Sequence, residues 1–310
     1  MILAPIILFV YNRPRHTRMT IEALQKNKLA ERSDLIIYSD GNKNELNYNE
    51  VLEVRNYLKT IDGFKSIEII EREKNLGLAS NIIDGVTINI KKFGKVIVLE
   101  DDIVTSPFFL TFMNSALDYY NKNHKVWHIS GWNYPMSSEG LNDVYFWRGM
   151  ICWGWATWAD KWEYFEKDPI KLKKEFSAKQ KYVFDLEGSG IFWPQIVKNL
   201  KGKLNTWAIF WYASIFKNNG LCLHPTVSYV ENVGFDGSGT NCVDSGNVHN
   251  FELNTKNSLN FDEPIFESEI AVKRIKLYYK SIKKTIFLKI VNKSKKILKK
   301  YMIIRSIANE

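Results

Sequence analysis

The sequence predicts an α/β protein built on one mostly parallel central sheet. Within the first hundred residues, four short runs rich in Ile, Val and Leu alternate with longer stretches of helical periodicity. Alternation at this spacing is typical of parallel strands joined by right-handed helical crossovers. Polar residues directly follow three of the four runs, and the carboxyl ends of parallel strands meet at one edge of a sheet. We therefore expect a polar crevice at that edge.

The predicted strands are short, and those at residues 6–11 and 95–99 are mostly apolar, as expected for strands that are buried on both faces. We predict strands at residues 6–11, 35–39, 66–71 and 95–99. We predict helices at residues 17–27 and 50–60, and a turn at 75–79 that opens a helix to about residue 90. Later in the chain the pattern predicts a helix at 107–121, a strand at 126–131 and irregular structure at 243–265.

Composition excludes several classes of protein. The chain has 310 residues, of which 45% are hydrophobic and 25% charged, as in ordinary globular proteins. Its three cysteines include no CxxC pair, so we expect no disulfide scaffold and a reducing, cytoplasmic compartment. The apolar start lacks the basic segment and cleavage site of a signal peptide, and is interpreted as the first buried strand. No apolar stretch reaches the ~18 residues of a membrane-spanning helix.

The basic character of the chain is concentrated at its end. The net charge is +9, but residues 271–310 alone carry +12, which leaves −3 for the rest. Apolar residues recur there at helical spacing among lysines, which is typical of basic amphipathic helices on anionic membranes. Packing of such a helix on its own domain is the alternative, and no nucleic-acid recognition motif accompanies the charge. We expect a catalytic domain at 1–265 and a basic helical tail at 266–310, with an anionic membrane and no nucleic acid as partner.

Residues 95–102 (KVIVLEDD) are the most informative segment. A buried strand ends there in three consecutive carboxylates, Glu100, Asp101 and Asp102. Carboxylates so close together repel one another unless they share a cation, and Mg²⁺ or Mn²⁺ takes one or two carboxylates plus substrate phosphates. A solvated acidic turn is the alternative interpretation. Polar residues after the first two strands favour the metal site, because they should converge on the same crevice.

Several motifs together resemble a known family. FVYNRP at residues 9–14, SDG at 39–41, NLGL at 75–78 and LEDD at 99–102 resemble bacterial nucleotide-sugar glycosyltransferases. They are similar to the catalytic domain of N-acetylglucosaminyltransferase I, where Glu-Asp-Asp stands in for the common Asp-x-Asp. The resemblance spans residues 4–242 and leaves out the tail. It implies a single Rossmann-like glycosyltransferase-A domain, with a mostly parallel sheet, followed by the basic C-terminal tail.

The resemblance also implies roles for individual residues. Asp102 would bind Mn²⁺ or Mg²⁺ on the donor diphosphate, while Glu100 and Asp101 would contact sugar or ribose hydroxyls or orient a metal-bound water. Asp101 is also a candidate catalytic residue. For Asp40 a plain turn before Gly41 remains open, and for Arg13 a surface salt bridge. The candidate substrate-binding residues are Val10, Tyr11, Asn12, Arg13, Asp40, Asn75, Leu78, Glu100, Asp101, Trp153 and Trp155.

The aromatic residues offer a candidate sugar subsite. Trp153 and Trp155 alternate around Gly154, so on an extended strand they would face the same side. Aromatic faces suit the C–H faces of pyranoses, but a Trp-rich core is an equally ordinary use of such residues.

The catalytic base is not evident from the sequence. Relatives often carry an acid after the Trp that matches Trp207, and this chain has Ala208 there. Asp236, in the glycine-rich loop at 232–242, is the candidate base, with Asp160 and Glu187 as alternatives. Relatives often have His where this chain has Asn241, so no metal role is assigned to that position.

These observations predict a metal-dependent glycosyltransferase. The donor would be a nucleotide-diphosphate sugar, foremost a UDP-sugar, and the acceptor a lipid-linked glycan or surface polysaccharide. The enzyme would be cytoplasmic and peripherally bound to the inner face of the plasma membrane. A nucleotidyltransferase would favour a glycine-rich loop with a lysine after the first strand, which residues 11–14 are not. A glycan- or membrane-binding scaffold without activity is the other alternative.

Overall fold

The structure is a computed structural model that describes residues 2–237 and 252–283. Strands and helices alternate from Ile6 to Glu100 and mix less regularly afterwards. The strands are β1 (Ile6–Val10), β2 (Asp34–Ser39), β3 (Ser66–Glu71), β4 (Lys95–Glu100), β5 (Ile103–Thr105), β6 (Val126–Ser130), β7 (Val144–Trp147), β8 (Trp155–Trp158), β9 (Leu221–Pro225) and β10 (Val230–Asn232). The helices are α1 (Pro14–Gln25), α2 (Tyr48–Leu58), α3 (Leu78–Phe93), α4 (Phe109–Tyr119), α5 (Ala159–Trp162), α6 (Pro169–Glu175), α7 (Ala178–Phe184), α8 (Trp193–Leu200) and α9 (Ala208–Lys217), with a further helix at residues 269–283.

One eight-stranded sheet carries the fold, in the order β3-β2-β1-β4-β8-β6-β9-β7. Strands β1 to β4 pair in parallel, so the predicted parallel sheet is confirmed for this half. β8 then pairs antiparallel with both β4 and β6. The chain leaves β1 on one side towards β2 and β3 and returns on the other side in β4. Ligands of α/β sheets bind at such a reversal, beyond the carboxyl ends of the strands.

The predicted elements of the first half are present with shifted ends. β3 has the predicted bounds, whereas α1 begins at Pro14, three residues earlier than expected. Proline suits the first turn of a helix because its missing N–H would have no intrahelical partner there. Five short strands, β5 and β7 to β10, were not predicted. They lie in irregular stretches without clear alternation, and their pairing is long-range.

Buried aromatic residues fill the second half of the sheet. Trp147, Trp155 and Trp211 are fully buried. Two buried histidines accept hydrogen bonds from indole groups: His128 from Trp211 at 3.2 Å, and His224 from Trp147 at 3.0 Å. Many of the tryptophans are therefore core residues in this half of the protein.

The first part of the predicted tail packs on the main body. We call residues 269–283 the tail helix. Its Ala271 and Ile275 are fully buried, and Lys276 lies 2.6 Å from the carboxylate of Glu187. One face of the tail helix therefore packs on the rest of the protein, which was the alternative to membrane binding. Residues 284–310 lie outside the described part of the chain. Among the described residues, no helix combines the length and apolar character that crossing a membrane requires.

Candidate active site

Arg13 and the acidic motif meet where β1 and β4 end side by side. The Arg13 guanidinium binds the Asp101 carboxylate, and its Nη2 lies 2.9 Å from Oδ2 of Asp102. Both carboxylates are nearly buried, with side chains 6% and 7% exposed. Thr20 of α1 donates to the Asp101 carbonyl at 2.9 Å and fixes the turn after β4. The sequence-predicted convergence of polar strand ends is therefore present for the first and fourth strands.

The charged groups of this cluster shift one another's pKa values. Burial alone would lower the pKa of Arg13, but attraction to Asp101 and then to Asp102 outweighs it, so its pKa is raised and the guanidinium stays charged. Burial, followed by repulsion from Asp102 and Asp101, raises the pKa of Glu100 to about 8. The Glu100 side chain has no hydrogen-bond partner among the described residues. Three carboxyl groups therefore lie around one guanidinium, that of Arg13.

Residues 233–237, which we call the cover loop, lie over the acidic motif. β10 pairs antiparallel with β5, and the Val233 N–H then donates to the Asp102 carbonyl at 2.9 Å. Gly234 follows so close to the carboxylate that a Cβ there would lie 2.3 Å from Asp102 Oδ2. A side chain at position 234 would therefore force the Asp102 carboxylate or the loop to shift. Sequence reasoning singled out the glycine-rich loop but not this contact.

Two further contacts hold the cover loop against the site. The ring of Phe235 meets Trp153 edge-on at 5.5 Å between centroids. Asp236 Oδ2 lies 3.1 Å from Nε2 of His16, in the first turn of α1. Asp236 and Trp153 thereby lie near the acidic motif. His16 was missed, although its place three residues after Arg13 is a usable signal.

Asp40 was predicted to bind substrate, but in the structure its carboxylate organises a loop. The residue is only 4% exposed, and its carboxylate accepts four hydrogen bonds. The donors are Gly41 N–H at 3.0 Å, Leu76 N–H at 2.9 Å, Gly77 N–H at 3.0 Å and Asn75 Nδ2 at 3.1 Å. Asp40 therefore accepts the hydrogen bond of a turn before Gly41, as the alternative expected. It also connects the end of β2 to the residues before α3. This loop also positions Asn75 and Leu78; the Leu78 side chain is 42% exposed.

The remaining residues of the first strand end differ in their exposure. Val10 was predicted to bind substrate, but it is buried and its carbonyl accepts from the Asp40 N–H at 3.0 Å. Tyr11 is partly buried; its hydroxyl accepts from the Lys43 N–H at 3.1 Å and donates to Asn47 at 3.3 Å. Asn12, which follows Tyr11 in the chain and precedes Arg13, is half-buried. Tyr11 and Asn12 therefore remain the residues whose side chains can reach a ligand.

Trp155 is a further correction, because it lies in the core and not in a sugar subsite. Its side chain is fully buried and stacks on Trp207 at 5.1 Å and on His128 at 5.4 Å. β8 begins only at Trp155, and Gly154 has a positive φ of 58°, so the expected alternation with Trp153 is broken. Trp153 alone faces the cover loop.

The alternative bases lie elsewhere. Asp160 follows β8, whose Trp158 pairs with Lys95 at the amino end of β4, opposite the acidic motif. Glu187 binds Arg148 at 2.7 Å and Lys276 of the tail helix at 2.6 Å. Ala208 opens helix α9 and offers no proton acceptor. Asp236 is the candidate carboxylate that the structure brings next to the acidic motif, and Asn241 lies outside the described residues.

The acidic motif offers carboxylate oxygens, the ligand type that Mg²⁺ and Mn²⁺ take. No cluster of three or more His, Cys, Asp and Glu ligands forms among the described residues. An ion held jointly by one or two carboxylates and substrate phosphates needs no such cluster. Hard carboxylate oxygens of Asp101 and Asp102 already bind one cation, the Arg13 guanidinium, and Glu100 has no hydrogen-bond partner among the described side chains. Asp102 is the residue that would hold the ion.

Residues 1–170 match the GNT-I family, and this segment contains β1 to β4 with Arg13 and the acidic motif. The chain belongs to the GNT-I family. The resemblance inferred from the motifs is confirmed at the level of the family, and the α/β fold with a parallel first half of the sheet agrees with the predicted fold class. The match covers more than half of the chain and ends before the cover loop.

Solved structures similar to this GNT-I family member are remote. S. aureus TarS 1–349 has a TM-score of 0.40 and 9% identity, covering 73% of this chain and 59% of that one. Mannosyltransferase PcManGT from Pyrobaculum calidifontis, solved with GDP-Man and Mn²⁺, has a TM-score of 0.41 and 10% identity, with coverages of 69% and 70%. S. aureus TarS itself has a TM-score of 0.29 and 12% identity, with coverages of 40% and 21%, so the chain spans about a fifth of the length of that protein. No curated protein matches the chain.

Proposed function

We propose that the protein transfers a sugar from a nucleotide-diphosphate donor, foremost a UDP-sugar, to a lipid-linked glycan or surface polysaccharide with the help of Mn²⁺ or Mg²⁺. One observation carries the proposal: Arg13 and the acidic motif meet beyond β1 and β4, where the strand order of the sheet reverses. A crevice with a fixed guanidinium and oxygen ligands for a hard cation suits a diphosphate.

The residues of the site have separate tasks in this reaction. Asp102 would hold the ion, which when bound supplies Lewis-acid neutralisation of the departing diphosphate. Tyr11, Asn12 and the loop organised by Asp40 orient the nucleoside. Trp153 flanks the sugar, and Asp236 accepts the proton of the attacking hydroxyl.

Donor and metal binding can be tested by thermal unfolding. The wild type is screened against UDP- and GDP-sugars with Mn²⁺ or with chelator, and Asp102→Ala is measured in parallel. We expect one donor to raise the Tm of the wild type only when metal is present, and to leave Asp102→Ala unchanged. Asp160→Ala is the matched control, because this exposed acid lies at the opposite end of β4 and should respond like the wild type. Absence of any metal-dependent shift in the wild type would overturn the proposal.

A scaffold without catalytic activity is the second candidate, because Ala208 stands where relatives carry an acid. Slow hydrolysis of the bound donor separates the two, since water can replace the acceptor hydroxyl. Metal-dependent release of nucleoside diphosphate by the wild type, lost in Asp102→Ala, supports the transferase. Donor binding without any release or transfer supports the scaffold.

We further propose that the tail rests on the anionic inner face of the plasma membrane and brings the site to a lipid-linked acceptor. The outer face of the tail helix carries exposed Lys273, Leu277 and Lys280, and Phe266 just before it is 62% exposed. Lysines near an anionic surface contribute about 1 kcal/mol each to binding.

Vesicle sedimentation of the full chain tests this placement. We expect binding to vesicles with phosphatidylglycerol, weaker binding at high salt, and none to pure phosphatidylcholine. Replacing Lys273 and Lys280 by Glu should weaken the binding markedly. Lys65→Glu, an exposed lysine next to β3, is the matched control and should bind like the wild type. Equal binding to both kinds of vesicle would contradict the proposal.

A further inference from the structure

His16 and Asp236 form a pair that is buried at one end and open at the other. The His16 side chain is 9% exposed, whereas that of Asp236 is 42% exposed. With its proton on Nε2, His16 donates to Asp236 Oδ2 at 3.1 Å. His16 lies in the first turn of α1, the helix whose N-cap residue is Arg13. A rigid, buried donor therefore fixes one oxygen of a carboxylate on a surface loop.

The pair lies beside the proposed reaction centre. Two residues before Asp236, Gly234 packs against the Asp102 carboxylate, and two residues of chain span at most about 7 Å. Between them, Phe235 contacts Trp153, which flanks the proposed sugar position. Asp236 is thereby confined to the neighbourhood of both the metal ligand and the sugar. Its exposed side remains accessible to an incoming hydroxyl.

We propose that His16 is a positioning residue that orients Asp236 as the proton acceptor of the transfer reaction; this inference rests on the proposed function. The lone pair of the acceptor oxygen forms the new bond to the anomeric carbon of the donor. The proton of that hydroxyl passes to the Asp236 carboxylate, and the electrons of the broken C–O bond leave with the nucleoside diphosphate. The step needs no further reactant.

The physical reason is the entropy of an exposed side chain. A carboxylate on a surface loop samples several rotamers, and only one places an oxygen within reach of the hydroxyl. The hydrogen bond from His16 selects a single orientation before the acceptor arrives. Orientation of this kind acts on the rate of the chemical step rather than on donor affinity.

Donor hydrolysis and sugar transfer by four variants test the inference: His16→Ala, His16→Gln, Asp236→Asn and the double variant His16→Ala/Asp236→Asn. Asp236→Asn should lower kcat by about a hundredfold or more, the range of general-base contributions. His16→Ala should lower kcat at least about tenfold while the KM for the donor changes less than about twofold. His16→Gln, whose amide can donate in place of Nε2, should recover most of the loss.

The double variant decides whether His16 acts through Asp236. If it does, His16→Ala costs nothing more once Asp236 is Asn, because there is no base left to orient. Independent, multiplying losses would overturn the inference, as would wild-type kcat in His16→Ala. His124→Ala, at an exposed histidine far along the chain, is the control and should equal the wild type.

Folding and donor binding are read out separately. A lower Tm and weaker donor binding in both His16→Ala and His16→Gln, with unchanged kcat, would assign His16 a structural role and overturn the inference. Failure of the proposed function looks different, because the wild type itself would then show no metal-dependent donor binding.

Discussion

The backbone of Gly234 lies directly against the Asp102 carboxylate, so that a Cβ at position 234 would be 2.3 Å from Oδ2. The two residues are far apart in the chain and meet because β10 pairs with β5, immediately after the acidic motif. The cover loop is therefore aligned to the acidic motif by a strand pairing.

Gly234→Ala should disturb the Asp102 carboxylate and weaken metal-dependent donor binding. A real Cβ cannot lie 2.3 Å from a carboxylate oxygen, so either Asp102 turns away or the cover loop lifts. We expect a destabilisation of about 1–3 kcal/mol, the usual cost of overpacking. The measurements are denaturant unfolding and donor titration with Mn²⁺.

Asp102→Ala provides the matched background for this substitution. Once the carboxylate is removed, Gly234→Ala should cost much less stability, because the oxygen it overlaps is absent. Equal costs in both backgrounds would show that the overlap with Asp102 is not the cause.

Arg13→Ala should destabilise the fold by about 3 kcal/mol, because it leaves nearly buried carboxylates without their counter-ion. Mn²⁺ should restore much of this stability if the same carboxylates hold the metal, and should not do so when Asp102 is also replaced by Ala. Urea unfolding with Mn²⁺ or chelator measures the effect.

Lys65→Ala is the control for Arg13. It removes an exposed ion pair with Asp34, which should cost less than about 1 kcal/mol and show no dependence on metal. If Mn²⁺ stabilises Arg13→Ala no more than it stabilises Lys65→Ala, the metal binds elsewhere.

Asp40→Asn should loosen the loop before α3. Asparagine offers one acceptor oxygen where the carboxylate has two, so at least one of the N–H groups of Leu76 and Gly77 loses its partner. We expect a cost of about 1–3 kcal/mol and a higher KM for the donor. Asp168→Asn, the N-cap of α6, should be nearly neutral because Asn caps helices as well as Asp.

Substitution of the two tryptophans should separate core from site. Trp155→Ala should destabilise the protein by about 3–5 kcal/mol, because a fully buried indole leaves a large cavity. Trp153→Ala should cost less stability and should raise the KM for donor or acceptor. Unfolding and steady-state kinetics on both variants check this. A raised KM in Trp155→Ala, with the larger loss of stability in Trp153→Ala, would instead place Trp155 in the sugar subsite.

The free energy of unfolding should fall as the pH drops below about 6.5. Burial lowers the pKa of His128 to about 3 and that of His224 to about 4, so the unfolded chain binds protons that the folded protein does not. Between pH 6.5 and about 4, each histidine should cost about 1.4 kcal/mol per pH unit.

Urea unfolding from pH 7 to 5 measures this dependence. The Trp211 indole N–H donates to His128 Nδ1, so protonation there would also break a buried hydrogen bond. His128→Gln should reduce the slope with pH by roughly half of the two-histidine contribution. An unchanged slope would show that other groups cause the acid destabilisation.

Local patterns predicted the parallel half of the sheet well. β1, β2 and β4 are nearly continuous apolar runs, and their burial on both faces follows from that composition. The edge strand β3 contains two glutamates and is only partly buried. The meeting of Arg13 with the acidic motif was also foreseeable, because carboxyl ends of adjacent parallel strands share an edge. The strands β7 to β9 were not foreseeable, since their partners lie far away in the chain and β propensity depends on those partners.

The roles of single side chains also divide into those that the sequence determined and those that depended on distant partners. The sequence itself determined that three carboxylates follow a buried strand, that Arg13 follows another, and that a glycine-rich loop comes later. The tertiary structure alone decided that Asp40 holds a loop, that Trp155 lies in the core, and that His16 faces Asp236. Periodicity fixes the direction in which a side chain points, but whether it meets solvent, a ligand or another side chain depends on what packs against it.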